Sequence, residues 1–127
     1  MQSHRRRIAL LALLGTAALA AWAQRGTEMF VPIAQSPGLS GKVTVIGTIE
    51  SLNAAERSMT VKDAAGASVK ATMVDQTRQW LDRSALGQPT RKATAADYRA
   101  GMTVELKFRN NDRAAGLLEW IKLKGAE

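Results

Sequence analysis

Apolar and polar residues alternate along five segments of this chain, and this alternation is its clearest structural signal. The segments lie at 42–52, 58–63, 67–74, 102–109 and 117–124. In the fourth segment, Val104 and Leu106 flank the charged Glu105. A period of two, rich in β-branched residues, is typical of strands that bury one face. The pattern therefore predicts five antiparallel strands, each with one apolar and one polar face.

Helical signals appear only between the third and fourth predicted strands. Residues 75–86 lack alternation, contain fair helix formers and precede Gly87, which predicts a short helix or helical loop. The run from Thr94 to Asp97 has the form of a capping box and predicts one helical turn. Gly101 is expected to stop that turn before the fourth strand begins.

The order of these elements predicts the fold class. A long strand interrupted by Gly47, two strands joined by short turns, a helical insertion and a final hairpin match an OB-like layout. We therefore expect an all-β domain over residues 42–127: a small five-stranded antiparallel barrel with one or two short helical insertions. Residues 24–41 contain scattered Gly and Pro without either period, and we expect an extended or flexible lead-in.

The first 23 residues have the pattern of a secretory signal peptide. Arginines at 5–7 precede an apolar stretch over 8–23, which ends in Ala-Trp-Ala. The stretch is shorter than the roughly 20 apolar residues of a spanning helix, so we predict cleavage after Ala23. The processed protein is then expected to be periplasmic or secreted, with no stable membrane anchor. The arginines leave the general and twin-arginine export routes both open.

Composition excludes several kinds of chemistry. The chain has no Cys, and its one His, at position 4, lies within the predicted signal. The processed domain therefore lacks a thiolate metal site, a redox pair and the His-containing catalytic triads. Acidic residues such as Glu50 and Glu105 occupy outward strand positions, where we expect them to be solvated. We predict that the protein is not an enzyme and needs no cofactor.

Charge adds little evidence for a nucleic-acid partner. The chain has 18 basic and 11 acidic residues, and loss of the three signal arginines leaves 15 against 11. The basic residues are interspersed with acidic ones rather than clustered, so we expect no nucleic-acid binding. Three aromatic residues near the loops and the last strand, Trp80, Tyr98 and Trp120, are the candidate ligand-binding residues. An aromatic ring beside basic groups suits a sugar ring, a peptide or an anionic glycan as its ligand. The competing role of these three residues is to cap the open ends of the barrel.

Short motifs also resemble known proteins. The segments 46–49, 58–63 and 98–104, read as IGTI, SMTVKD and YRAGMTV, resemble those of small bacterial exported OB-like domains of unknown function. The chain is more distantly similar to the CusF-type periplasmic copper chaperones. That second resemblance implies Cu(I) or Ag(I) binding through Met thioethers, a His and a Trp over the metal.

The metal-binding alternative has a partial set of donors in this chain. Met59, Met73 and Trp80 match the implied residue types, but no His accompanies them. Soft metals require thioether, thiolate or imidazole donors, and two thioethers alone make a weak site. Filling the core is the competing role of the two Met side chains, so we do not assign a metal site.

These observations together predict a non-catalytic exported protein that binds an unknown envelope protein or ligand. Metal handling through Met59 and Met73 is the first alternative. The second alternative is an accessory subunit of an envelope assembly, docked through residues 29–33 or the edge of the last strand. The sequence leaves the oligomeric state and the pathway open.

Overall fold

Seven strands form one sheet in the computed structural model, which describes residues 31–125. The strands are β1 Val45–Asn53, β2 Ser58–Asp63, β3 Ser68–Thr72, β4 Arg78–Asp82, β5 Arg91–Lys92, β6 Thr103–Phe108 and β7 Leu118–Lys124. Three single 3-10 turns lie at Ser84–Leu86, Ala95–Asp97 and Arg109–Asn111. The predicted signal peptide and the first part of the predicted lead-in lie outside the described residues.

Neighbouring strands pair mostly in the antiparallel sense. The order across the sheet is β3-β2-β1-β6-β7-β4-β5, and only the β4–β7 pair is parallel among the described residues. The ladder does not close, so β3 and β5 are its two edges. One isolated parallel bridge joins Thr72, at the end of β3, to Leu117, just before β7. The predicted all-β class is confirmed.

The segment between β3 and β6 differs from the sequence-based prediction. We expected a short helix or helical loop over 75–86, but residues 78–82 form strand β4 and only Ser84–Leu86 make a 3-10 turn. Pairing with β7 explains the difference, because the parallel ladder places Leu81 beside Leu123 in the core. Tertiary pairing here overrides weak local helix propensity. With β5 added, the sheet has seven strands rather than five.

The core lies on the inward face of the strands, as the alternation predicted. Its largest fully buried apolar side chains are Phe108, Ile49, Met59, Leu106, Leu118, Ile121 and Leu123. Gly47 lies inside β1, where a Cβ atom would overlap the carbonyl oxygen of Lys62 on β2. Glycine is therefore required for β1 and β2 to approach this closely. The register shift in this pair lies nearby, between Ile49 and Ser51.

The predicted capping box is present at the second 3-10 turn. The Thr94 backbone N–H donates to the Asp97 carboxylate at 2.7 Å. The Asp97 backbone N–H in turn donates to the Thr94 carbonyl oxygen at 3.0 Å. Asp97 also forms a 2.6 Å ion pair with Arg91 on β5. These contacts fix the turn immediately before Tyr98. No helix in the described part of the chain is long and apolar enough to span a bilayer.

Residues 32–44, which we call the N-terminal strap, form successive turns on the outward face of the sheet. The strap is held by side chains of the sheet: Ile33 N–H donates to Asp82 at 2.8 Å and Ala34 N–H to Glu105 at 2.9 Å. We expected Glu105 to be solvated, and that expectation was wrong, because the strap leaves it 0% exposed. Of the segment 29–33 predicted to dock a partner, residues 29 and 30 lie outside the described residues.

Candidate functional site

A cavity of about 220 Å³ opens between the turn after β1 and the turn that precedes Tyr98. Its walls are mostly apolar. The lining residues are Leu52, Asn53, Ala54, Arg57, Ser58, Met59, Met73, Gln79, Ala95 and Tyr98. A concave, mainly apolar pocket with a few converging polar groups is the usual form of a small-molecule site. This cavity is therefore our candidate site.

Tyr98 supplies one of the polar groups at the cavity wall. Its ring is 7% exposed, and its hydroxyl donates a 2.9 Å hydrogen bond to Oε1 of Gln79 on β4. Burial raises the pKa of the Tyr98 phenol above its ordinary value, and the negative charge of Asp97 adds to the shift. A tyrosine hydroxyl is protonated at neutral pH even at its ordinary pKa, and its oxygen can accept a hydrogen bond from a ligand.

The turn between β1 and β2 shapes the mouth of the cavity. Arg57 has a positive φ of 55°, and its carbonyl oxygen accepts a 2.8 Å bond from Met73 N–H. Its guanidinium pairs with Asp75 at 2.8 Å, with both side chains largely exposed. Asn53 closes the same turn by accepting a 3.2 Å bond from Glu56 N–H. These contacts fix Asn53 and Arg57, which line the cavity.

Two methionine side chains border this cavity. Met59 on β2 is 2% exposed, and Met73, just after β3, is half-buried. The sheet brings them together because Met59 pairs with Ala71, two residues before Met73. Thioethers are polarizable and flexible, so they adapt to ligands of irregular shape and also serve as soft-metal donors. No group of three or more His, Cys, Asp or Glu suited to a metal ion occurs in residues 31–125.

A second, more polar groove of about 520 Å³ continues from the cavity. The two share residues around the β1–β2 turn, and the groove adds Ser51, Glu56, Thr60 and Lys70. Lys70 and Glu56 form an exposed ion pair of 3.1 Å along it. Leu52, 44% exposed, lines both spaces.

The three predicted aromatic residues do not share one site. Tyr98 lines the cavity, whereas Trp80 on β4 and Trp120 on β7 lie on the outward face of the sheet. The ladder pairs Trp80 with Lys122 and Trp120 with Arg78, and side chains at paired positions point to the same face. Trp80 is not among the lining residues of the Met59 and Met73 cavity.

Sequence reasoning missed a buried polar cluster beneath the strap. Glu105 accepts hydrogen bonds from Thr44 Oγ1 at 2.7 Å and Ser40 Oγ at 2.8 Å, besides the one from Ala34. Its ladder partner Lys122 is 7% exposed. Burial lowers the pKa of Lys122, although the charges of Glu105 and Asp82 oppose that shift. No local pattern marked this cluster, because its donors lie more than 60 residues from Glu105 in the chain.

Asp82 belongs to the same cluster. Burial alone would raise the pKa of its carboxyl, but hydrogen bonds from Ser84 and from the Ile33 backbone outweigh burial and lower it. The Ser84 backbone N–H donates at 2.9 Å and the Ile33 N–H at 2.8 Å. The carboxylates of Asp82 and Glu105 thus both accept hydrogen bonds from backbone N–H groups, and Glu105 accepts two more from hydroxyl groups. The cluster satisfies its own hydrogen bonds and serves to hold the strap on the sheet.

Comparison with known proteins gives a distant structural similarity. No protein-family model and no curated protein matches the chain. A structure of apo-CusF from Escherichia coli is 17% identical, with a TM-score of 0.39, over 63% of this chain and 83% of that one. A copper(II)-bound tryptophan variant of CusF from Escherichia coli is 16% identical, with a TM-score of 0.37, over 63% and 88%. The distant resemblance to CusF is confirmed, and similarity at this level does not extend to ligands or residue roles.

Proposed function

We propose that this protein is a non-catalytic, exported binding protein whose ligand occupies the cavity beside Tyr98. The observation that carries the proposal is the cavity itself: mostly apolar walls with one buried, hydrogen-bonded phenol facing a side-chain amide. Export rests on the signal-like residues 1–23 and places the ligand in the periplasm or outside the cell. Neither Tyr98 nor Gln79 is a nucleophile or a general base at neutral pH, so binding is the role that suits them.

We further infer an OB-like barrel built from β1, β2, β3, β6 and β7. Their antiparallel order, β3-β2-β1-β6-β7, supports this, and the parallel bridge from Thr72 to Leu117 brings the two ends of that order together. Thr72 N–H donates a 2.7 Å hydrogen bond to the Gly116 carbonyl at this point. In this arrangement β4 and β5 are additions beside β7, and the cavity opens at one end of the barrel.

The expected ligand is small and largely apolar, with one hydrogen-bonding group. A volume of about 220 Å³ lies below the usual ~300–1,000 Å³ of drug-sized pockets. The hydroxyl of Tyr98 and the amide of Gln79 would orient the polar end, and the two methionines would contact the apolar part. Flexible thioether side chains tolerate differences in ligand shape, which suits a binding protein of broad specificity.

Nuclear magnetic resonance with p-cresol and indole as probes tests this proposal. We expect saturable shifts of the methyl signals of Met59 and Met73 and loss of binding in Ala95→Leu, which fills the cavity mouth. The matched control Ala65→Leu adds the same volume on an exposed turn and should bind normally. Chemical-shift changes spread evenly over the protein surface would contradict the proposal. An equal loss of probe binding in Ala95→Leu and Ala65→Leu would contradict it as well.

A second candidate function, binding of Cu(I) or Ag(I), is favoured by one observation: Met59 and Met73 line the same cavity. Titration with Ag(I) should then give one equivalent bound, with shifts confined to these two methyl groups. The double variant Met59→Leu/Met73→Leu nearly conserves volume, so the fold should survive while metal binding is lost. Stoichiometric Ag(I) binding that displaces p-cresol would make metal handling the function of the cavity.

A further inference from the structure

The outward face of β6, β7, β4 and β5 places tryptophans and cations at alternating ladder positions. One row across the strands is Lys107, Trp120 and Arg78, and the next is Glu105, Lys122, Trp80 and Lys92. Each tryptophan therefore has a cation on the strand to either side of it. Adjacent strands lie about 4.8 Å apart, so neighbours in a row are close enough to touch.

Glu105 and Lys122 of this face are buried beneath the strap, so its accessible part consists of the two tryptophans, Lys107, Arg78 and Lys92. Lys122 Nζ lies 4.6 Å from the centroid of the Trp120 ring, within the range of a cation–π interaction. Lys122 also faces the buried carboxylates of Glu105 and Asp82, so its charge is compensated. Both tryptophans are half-buried and therefore form part of the surface rather than project from it.

Two exposed cations of these two rows have no acidic partner among the described residues. Lys107 pairs with Glu119 at 3.0 Å, whereas Arg78 and Lys92 are exposed and appear in no ion pair within residues 31–125. Lys92 lies opposite Trp80, and Arg78 lies two residues before that tryptophan on β4. The uncompensated charge is thus positive and stands beside both rings.

We propose that this face binds an anionic polysaccharide, with Arg78 and Lys92 contacting its carboxylates and the tryptophans supporting its sugar rings. Charge complementarity carries the choice of an anion. A nucleic acid suits the face less, because the signal-like residues 1–23 predict export, away from the usual nucleic-acid partners. An anionic membrane also suits it less, because half-buried rings do not insert into a bilayer. The proposal is independent of the cavity beside Tyr98, which lies elsewhere.

Isothermal titration with polygalacturonate, a carboxylated polysaccharide, tests the proposal, with neutral dextran as the comparison polymer. We expect the double variant Arg78→Gln/Lys92→Gln to raise the Kd for polygalacturonate about fivefold or more at low salt. The control variant Lys62→Gln/Arg99→Gln removes the same net charge from exposed positions off this face and should change the Kd less than about twofold. Circular dichroism should show the same fold in both variants.

Three outcomes would overturn the proposal. Equal weakening in the two double variants would mean that only net charge matters. Undetectable binding of polygalacturonate by the unaltered protein would remove the ligand altogether. Tighter binding to an oligothymidine or to phosphatidylglycerol vesicles under the same conditions would assign the face to a nucleic acid or a membrane instead.

Discussion

The substitution Glu105→Gln tests how the strap is held on the sheet. Glu105 is fully buried and accepts three hydrogen bonds, from the backbone of Ala34 and the hydroxyls of Ser40 and Thr44. Glutamine keeps the shape and one acceptor oxygen, and the two hydroxyls can turn to accept from its new amide group. What is lost is the negative charge that strengthens these bonds and that faces Lys122.

The expected loss of stability follows from these three hydrogen bonds and from the charge of Lys122. A hydrogen bond to a charged group contributes about 1 kcal/mol more than a neutral one, and three such bonds are affected, two of them with compensation. Loss of the partner charge also leaves Lys122 with Asp82 as its remaining acidic neighbour. We expect Glu105→Gln to lower the free energy of unfolding by about 2 kcal/mol. For a domain of this size the Tm should fall by roughly 8–16 °C.

Chemical denaturation followed by tryptophan fluorescence measures this effect. Glu50→Gln is the matched control, because Glu50 is exposed and, among residues 31–125, accepts only the Ser68 hydroxyl at 2.6 Å. The control should change the free energy of unfolding by less than about 0.5 kcal/mol. If the two variants unfolded at the same denaturant concentration, the burial of Glu105 and its contacts with the strap would contribute nothing to stability.

Three further predictions concern the sheet, the cavity and the strap. Gly47→Ala should lower the free energy of unfolding by about 2 kcal/mol, because its Cβ overlaps the Lys62 carbonyl; thermal unfolding without loss of stability would contradict this. Tyr98 is the one tyrosine of the chain, so phenolate absorbance in a pH titration should appear only well above pH 10, and a midpoint at the ordinary value of 10.0 would show an exposed phenol. Asp82 has a lowered pKa, so its stabilising contribution is present above the unfolded value of 3.8 and is lost as the pH falls below it. Asp82→Asn should therefore flatten the acid limb of the stability curve, and an unchanged limb would exclude this role.

Local alternation sufficed to predict the strands that lie along the core. In β6, Val104, Leu106 and Phe108 face inward and are almost fully buried, as their period of two requires. Strand β2 spans Ser58–Asp63, the same residues that the pattern indicated. The capping box at Thr94 was also predictable, because its donors and acceptors lie within one turn of each other. These features depend on neighbours in the sequence.

Long-range contacts account for what the sequence did not reveal. Strand β4 exists because it pairs in parallel with β7, about 40 residues later, and its five residues carry too short a pattern to indicate that partner. Glu105 has the alternation of a solvated residue, yet donors from the strap bury it. The separation of Tyr98 from the two tryptophans likewise depends on sheet order. Propensity and spacing contain none of this information.

A crystal structure of the protein soaked with p-cresol would test the central claim most directly. We expect electron density for the ligand in the cavity bordered by Met59 and Met73, with its hydroxyl within hydrogen-bond distance of Tyr98 or Gln79. An empty cavity at saturating p-cresol, or density for the ligand only on other surfaces, would contradict the assignment of this protein as a binding protein with its site at this end of the sheet.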